Sequence, residues 1–244
     1  MIGKADILKA LDSLGLADSI LCVHGSLKSF GPVEGGAATL IDALADKGGT
    51  VVVPTFYYQS IVRPPEGIRI RQNGLDAQSF AIPGNPWLVP YNPADPTHID
   101  SSMGIIPATL LARPDRVRGD HPLNSFCAIG PKATELMAAQ TPMNAYGPYR
   151  LINQDENARI ILMGVGLNRC TPIHYGEVLA GRRLFHSWAQ YADGRIVETR
   201  VGSCSDGFPD WTRMCGISSP ALWWETASGV YSGFMSSCIA SRMS

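Results

Sequence analysis

The chain has 244 residues, 45% of them apolar, which suffices for one large domain or for one domain with a small appendage. Its net charge of −1 comes from scattered lysines and arginines matched by acids, so neither a nucleic-acid nor an anionic-membrane partner is expected. Because the sequence shows no signal-peptide core, no apolar run of about 18 residues and no zinc-ligand spacing, we expect a cytoplasmic protein with reduced thiols and no metal site.

The first third of the chain predicts parallel strands joined by a helix. In order, its elements are an amphipathic helix ending at Gly15, a strand at 19–23, a glycine-rich turn at 24–36, a helix with Leu40, Ile41 and Leu44 inward, and a strand at 50–53. Such a unit leaves its turn at the carboxyl edge of the sheet, where open α/β sheets bind ligands.

The polar groups of this turn suit an anionic ligand. They are backbone N–H groups, Ser26, Lys28 and Ser29. The glycine spacing matches neither the dinucleotide fingerprint nor the P-loop, so an ordinary turn is the alternative interpretation.

A proline-rich irregular segment at 56–100 follows, and we predict a flap or small subdomain there. Order then resumes with a short helix after Asp100, a loop at 113–125, a strand that ends before Gly130 and a helix at 132–139.

The stretch 160–177 combines a buried strand, a turn and a helix start. Its first six residues form a short apolar run that predicts a strand buried on both faces. Thr171 suits the N-cap and Pro172 the first helical position, which places His174 third in the helix. Glu177 lies one turn later on the same face. Because the helix dipole disfavours imidazolium here, His174 is favoured as a neutral base, the alternative being a surface or capping histidine.

The remainder predicts an antiparallel hairpin, with strands at 188–191 and 196–201, and an unassigned region at 205–244. The fold class is therefore α/β, a layered α/β/α arrangement with a mostly parallel sheet, a long irregular insertion and an antiparallel C-terminal element. We expect residues 1–244 to form a single domain.

Six pieces of the chain, in order, resemble the aminoglycoside 3-N-acetyltransferase family, also called the antibiotic N-acetyltransferase superfamily. They are HGSLKSFGPVEGGA at 24–37, GTVVVPTF at 49–56, MGII at 103–106, RGDHPLNS at 118–125, AYG at 145–147, and LMGVG with TPIHYGE between 162 and 177. Together they are far more specific than any one of them.

The resemblance implies acetyl-CoA as donor. It implies a donor groove lined by two segments, whose residues are His24, Gly25, Ser26, Leu27, Lys28, Ser29 and Phe30, then Arg118, His121 and Ser125. It also implies that His174 is the general base, helped by Glu177, in a direct transfer within a ternary complex. The Thr171 hydroxyl or backbone donors then hold the oxyanion.

The acceptor implied by the family is an aminoglycoside, acetylated on its 3-amino group. The candidate acceptor-binding residues are Tyr57, Tyr58, Asp95 and Asp100. Family members that act on aminoglycosides often carry acids just after the position of Phe56, whereas this chain has two tyrosines and, further on, Arg63, Arg69 and Arg71. These residues suit an aromatic or anionic acceptor better.

Three alternatives stay open: a family member acting on a different small amine, a CoA-binding homologue without turnover, and a serine hydrolase that uses Ser26 or Ser102. The hydrolase lacks support from a GxSxG elbow. The expected assembly is a monomer or homodimer.

Overall fold

The computed structural model describes residues 1–68, 87–182 and 184–202, together with the backbone of 230–233. Arg69, Arg71, the cysteines at 204, 215 and 238, and most of the unassigned region at 205–244 lie outside these residues. The α-helices of the described part are α1 (Lys4–Ser13), α2 (Gly36–Gly48), α3 (Ile105–Leu111), α4 (Ala133–Ala138), α5 (Gly147–Asn153) and α6 (Pro172–Leu179). None of these helices is long and apolar enough to cross a membrane.

The strands form two sheets. The main sheet contains, in spatial order, β4 (Val117–Arg118), β5 (Phe126–Ile129), β2 (Thr50–Pro54), β1 (Ile20–Gly25), β6 (Arg159–Met163) and β9 (Val230–Gly233). The smaller sheet contains β3 (Ile61–Val62), β7 (Phe185–Gln190) and β8 (Ile196–Val201). The α/β class and the antiparallel C-terminal hairpin are confirmed.

The parallel part of the main sheet is its centre. β1 pairs in parallel with β2 and with β6, and His24 lies opposite Leu162. The outer strands β5, β4 and β9 join in antiparallel orientation. Consequently β1, β2 and β6 all end at the same edge of the sheet, and the segments that follow them meet there.

The main sheet is covered on both faces. Successive side chains of a strand point to opposite faces, so Cys22 packs towards α4, α5 and α6, while Leu21 packs towards α1, α2 and α3. Burial of each large apolar side chain contributes about 1.5 to 3 kcal/mol, and these two cores hold the sheet edge in place. This is the layered α/β/α arrangement expected from the sequence.

The irregular segment at 56–100 joins the smaller sheet where it is described. β3 pairs antiparallel with β7, and Tyr91 packs with Tyr57 and Tyr191 in a small aromatic core. Flap behaviour of this segment stays a prediction.

Candidate active site

A cavity of about 760 Å³ opens at the carboxyl edge of the central strands. Its walls are the end of β1 and the turn after it, the 3₁₀ turn before α3, the connection from β6 into α6, and the end of β8. This is the place where the parallel topology predicts a ligand site.

His174 lines this cavity and forms a buried pair with Glu177, which does not itself line it. His174 is the third residue of α6, as expected, and its Nδ1 lies 2.7 Å from Glu177 Oε2. Burial opposes ionisation of Glu177, but the hydrogen bond from His174 and the charge of Arg182 hold its pKa below the ordinary value. The carboxylate can only accept, so Nδ1–H donates and the lone pair of the imidazole lies on Nε2.

Arg182 holds the other side of the carboxylate. Its guanidinium donates to Glu177 Oε1, and its backbone N–H donates to the carbonyl oxygen of Glu177. Glu177 is only 2% exposed, so both of its oxygens are fixed by neighbours rather than by bulk water. The carboxylate of Glu177, which is itself held by Arg182, therefore fixes the orientation of the His174 ring.

Thr171 occupies the N-cap position of α6, but the expectation that its side chain caps the helix is wrong. Its backbone has helical dihedral angles and its hydroxyl makes no capping hydrogen bond. Pro172 follows at the first helical position, as expected. Thr171 lines the cavity next to the base, so its hydroxyl is not spent on the helix end.

Tyr146 and Gly202 also lie close to the imidazole of His174. The Tyr146 ring stacks on the His174 ring, with centroids 6.0 Å apart and planes inclined by 23°. The backbone N–H of Gly202 donates to Tyr146 Oη at 2.8 Å. Burial above all raises the pKa of Tyr146, so its hydroxyl stays protonated.

The turn after β1 reaches the cavity with most of its predicted residues. His24, Gly25, Ser26, Leu27 and Lys28 line the cavity, with His24 and Gly25 still in the strand. Burial lowers the pKa of His24 to about 4, which keeps it neutral.

Ser29 and Phe30 lie behind this turn rather than in the cavity wall. The Ser29 hydroxyl donates to the carbonyl oxygen of Ser26 at 2.6 Å, and Phe30 packs against the apolar core. Ser29 also packs against Gly164, which has φ +63 and no room for a Cβ. The two residues shape the turn.

The second predicted donor segment is placed elsewhere. Arg118, His121 and Ser125 do not line the cavity. The guanidinium of Arg118 is engaged within the protein. It donates to Ser125 Oγ and to the carbonyl oxygens of Thr55, Asp95 and His98, and it lies 4.9 Å from the centre of the Tyr91 ring.

His121 and Ser125 are fully buried, and their polar atoms are likewise used inside the protein. His121 Nδ1 accepts from the backbone N–H groups of Leu123 and Asn124, and Ser125 Oγ donates to the Thr55 carbonyl oxygen at 2.7 Å. Arg118, His121 and Ser125 thus support the fold beside the cavity, while Asn124 of the same loop lines it, and the donor-binding role of the loop stays a prediction.

Only one of the candidate acceptor residues lies in the cavity wall. Tyr58 lines it and is 40% exposed. Tyr57 is buried and stacks on His98. The Asp95 carboxylate accepts from the backbone N–H of Thr97 in a loop. The Asp100 carboxylate accepts from the backbone N–H of Ser102 at the start of a 3₁₀ turn.

The cavity also contains residues to which sequence reasoning gave no role. These are Phe56, Met103, Ile105, Asn124, Tyr146, Asn168, Arg169, Cys170 and Gly202. Tyr146 lies in the motif at 145–147, which could have drawn attention to it, but no signal in the sequence marks Gly202. Ser26 and Ser102 also line the cavity. Among the described residues, no group of three or more His, Cys, Asp or Glu is placed to hold a metal ion.

The sequence comparisons give a consistent result. A family model for aminoglycoside 3-N-acetyltransferases matches residues 22–212. Aminoglycoside N(3)-acetyltransferase IX of Micromonospora chalcea is 32% identical over 194 residues, covering 75% of this chain and 64% of the relative. The type VII enzyme of Streptomyces paromomycinus is 30% identical over 227 residues, covering 89% and 72%. For Aminoglycoside N(3)-acetyltransferase IV of a Salmonella species, identity is 27% and coverage 72% and 59%. The matched stretch thus spans about three fifths of the length of several of these relatives.

Solved structures share the fold. The YokD protein from Bacillus subtilis has a TM-score of 0.78 at 20% identity, covering 99% of this chain and 97% of that one. The coenzyme A complex of AAC-IIIb has a TM-score of 0.75 at 21% identity, covering 98% and 94%. At these identities the likeness establishes a common architecture.

Proposed function

Because this chain belongs to the aminoglycoside 3-N-acetyltransferase family, we propose that it transfers the acetyl group of acetyl-CoA to an amine, with His174 as the general base. The observation that carries the proposal is that His174, in the cavity wall, is held by Glu177 behind it, with Nδ1 2.7 Å from Oε2. This arrangement supplies an oriented imidazole in which Nδ1–H is directed at the carboxylate, so that in the neutral form Nε2 carries the lone pair.

The chemical step needs a proton acceptor beside the amine. As the amine nitrogen attacks the thioester carbonyl carbon, Nε2 of His174 accepts the amine proton, and the carboxylate of Glu177 stabilises the imidazolium that forms. When the carbon–sulfur bond breaks, the same proton passes to the thiolate, giving the amide and the free thiol. The Thr171 hydroxyl, in the same wall, is a candidate donor to the oxyanion.

The donor is assigned to the side of the cavity formed by the turn after β1. Lys28 and Arg169 provide positive charge in the wall, as the phosphate groups of acetyl-CoA require. This part of the proposal rests on the chemistry of the lining. Family membership supports it.

For the acceptor we propose an aminoglycoside, bound with weak apparent affinity. The cavity lining within the described residues contains Tyr58 but neither aspartate nor glutamate, whereas a polycationic sugar needs several carboxylates. We therefore expect a narrower range of aminoglycosides than an acid-lined member of the family accepts.

The test is thiol release from acetyl-CoA with a panel of amines that includes several aminoglycosides. We expect His174→Ala to lower kcat by about 10² to 10⁴, while the dissociation constant of CoA changes little, because the base acts on the acceptor proton. His186→Ala is the matched control, since His186 also pairs with a glutamate, Glu198, but outside the cavity wall. Near-normal turnover by the His174 variant would remove the proposed base.

Two other outcomes separate the alternatives. Tight CoA binding without thiol release on any amine identifies a binding protein, and activity on another amine alone replaces the aminoglycoside. Labelling of Ser26 or Ser102 by a fluorophosphonate probe would support a hydrolase.

A further inference from the structure

Gly202 meets the general base at a point where no side chain fits. A Cβ built on Gly202 would lie 2.8 Å from both Cγ and Nδ1 of His174 and 2.5 Å from Tyr146 Oη. Real Cβ atoms essentially never approach other heavy atoms so closely. Gly202 does not have a left-handed backbone, so its requirement for glycine comes from the space that the two rings leave.

The backbone of Gly202 is fixed at this point by a hydrogen bond. Its N–H donates to Tyr146 Oη at 2.8 Å, and the Tyr146 ring stacks on the His174 ring. Gly202 follows β8 directly, so it is also held by the antiparallel pairing of β8 with β7. The glycine is thus placed against the imidazole by two different parts of the fold.

The Cβ built on Gly202 would meet Nδ1, the atom of His174 that binds Glu177. Nδ1 is 2.7 Å from Glu177 Oε2, and rotation of the ring away from this carboxylate would break that bond. Contact from the end of β8 on one side and from Tyr146 along the ring face restricts such rotation. Packing that fixes a side-chain rotamer in this way holds a catalytic group close to its productive geometry.

We propose that Gly202, anchored on the hydroxyl of Tyr146, is a positioning residue that locks the imidazole of His174 in its hydrogen bond to Glu177. The inference rests on the proposed function of His174 and adds a residue that follows β8 of the smaller sheet. Gly202 itself touches no reacting atom; it acts through the ring of the base.

The main variant is Gly202→Ala. Its methyl group displaces the imidazole, and because a misplacement of about 1 Å can lower a rate by about 10²-fold, we expect kcat to fall by about 10- to 100-fold. The dissociation constant of CoA should change less than about 3-fold, because the lock acts on the base. Gly3→Ala is the control, since Gly3 also lacks a left-handed backbone and its Cβ would meet only side-chain atoms at 3.5 Å or more.

A readout on the ring itself distinguishes positioning from general destabilisation. In the wild type we expect the Nδ1–H proton of His174 to give a downfield resonance in the proton spectrum, because it is held by the carboxylate of Glu177. In Gly202→Ala this resonance should be lost or shifted upfield while the fold persists. This measurement does not require a known acceptor, so it can fail or succeed independently of the proposed transfer reaction.

The pH profile provides a second readout. Among the residues that the structure describes, the titratable and charged groups facing His174 include Glu177 from its own helix, with Arg182 behind it, and Tyr146 from the segment before α5. Tyr146 stays protonated, so Glu177 is the charge that stabilises imidazolium. Loss of its contact makes protonation of the base harder, and the acidic limb of kcat should move to lower pH in Gly202→Ala.

Tyr146→Phe keeps the stacked ring and removes only the acceptor for the Gly202 N–H, so it tests the anchor if Gly202→Ala does not fold. We expect a loss in kcat of about 2- to 10-fold, the effect of one hydrogen bond. If His174→Ala is inactive but both variants keep the wild-type kcat, acidic limb and Nδ1–H resonance, the lock does not exist. If His174→Ala is active, the base assignment fails instead.

Discussion

The turn after β1, taken with the end of that strand, and the loop that runs from Arg118, the last residue of β4, to Ser125 contain the same kinds of side chain, a histidine, a serine and a cation. In the turn, Lys28 and Ser26 line the cavity. In the loop, Arg118 and Ser125 bind one another and backbone carbonyl oxygens. The difference shows that a polar motif conveys function only where its donors and acceptors are not already used by the fold.

The geometry of the chain explains this difference. The turn lies at the end of two parallel pairings, where the strands stop and leave room for a ligand. The loop connects β4 to β5, which are paired antiparallel, and wraps around carbonyl groups that have no partner in a sheet. A buried carbonyl without a partner costs free energy, and Arg118 satisfies several of them.

The largest expected effect is that of removing the Arg118 side chain. We expect Arg118→Ala to lower the free energy of unfolding by about 3 to 5 kcal/mol, because the carbonyl oxygen of His98 loses this donor, that of Thr55 keeps only the Ser125 hydroxyl, and the packing on the Tyr91 ring is lost. Arg195→Ala is the matched control, because Arg195 also lies over a tyrosine ring but is 62% exposed, and should cost at most about 1 kcal/mol. Urea unfolding of both variants provides the measurement.

The same variant tests the binding role that the sequence suggested for this loop. The fraction of Arg118→Ala that remains folded should bind CoA with the wild-type dissociation constant. A tenfold weaker affinity in folded protein would return Arg118 to the donor site.

His121 is predicted to make the loop sensitive to acid. Burial lowers its pKa from 6.5 to about 4. Below pH 6.5 the unfolded chain therefore takes up a proton that the folded chain does not, so stability is present above pH 6.5 and is lost as the pH falls towards 4. One such group contributes about 3 kcal/mol over this window.

The contribution of His121 can be isolated with His121→Asn. The amide oxygen of asparagine can replace Nδ1 as acceptor for the N–H groups of Leu123 and Asn124 without titrating. Urea unfolding between pH 7 and 4 should then show a shallower decline than in the wild type. The decline should not vanish, because His24 has a similarly lowered pKa. Equal declines in both proteins would exclude His121 as a source.

The elements that could be predicted from the sequence are those with local causes. Apolar runs located β1, β2 and β6, and a proline at the first helical position located α6 and placed His174 beside Glu177. The helix α5 had no prediction, because it is short and begins without a side-chain cap. Non-local features were beyond the sequence: the antiparallel entry of β5 depends on the long connection before it.

The same distinction applies to the site. Motif, strand end and helix start predict the positions of His174 and of the turn after β1, and both lie in the cavity wall. The family resemblance assigns Arg118 to the donor groove; its partners, the carbonyls of Thr55, Asp95 and His98, are distant in sequence, so no local pattern shows that the guanidinium is already engaged. No pattern in the sequence marks Gly202, because its closeness to the base arises from packing of the end of β8 against α6 and Tyr146, which are distant in sequence.

The smallest expected effect concerns Lys28, in the turn after β1. If Lys28 receives the anionic part of the donor, Lys28→Ala should raise the dissociation constant of CoA by about 3- to 10-fold, equivalent to about 1 kcal/mol, with little effect on kcat at saturation. Because screening acts over about 10 Å at 0.1 M ionic strength and about 3 Å at 1 M, the difference should nearly disappear at high salt.

Lys132→Ala is the control, since Lys132 pairs with Asp155 and does not line the cavity. Titration calorimetry at low and high salt decides the matter: an unchanged dissociation constant at low salt would make the turn after β1 as structural as the loop that contains Arg118.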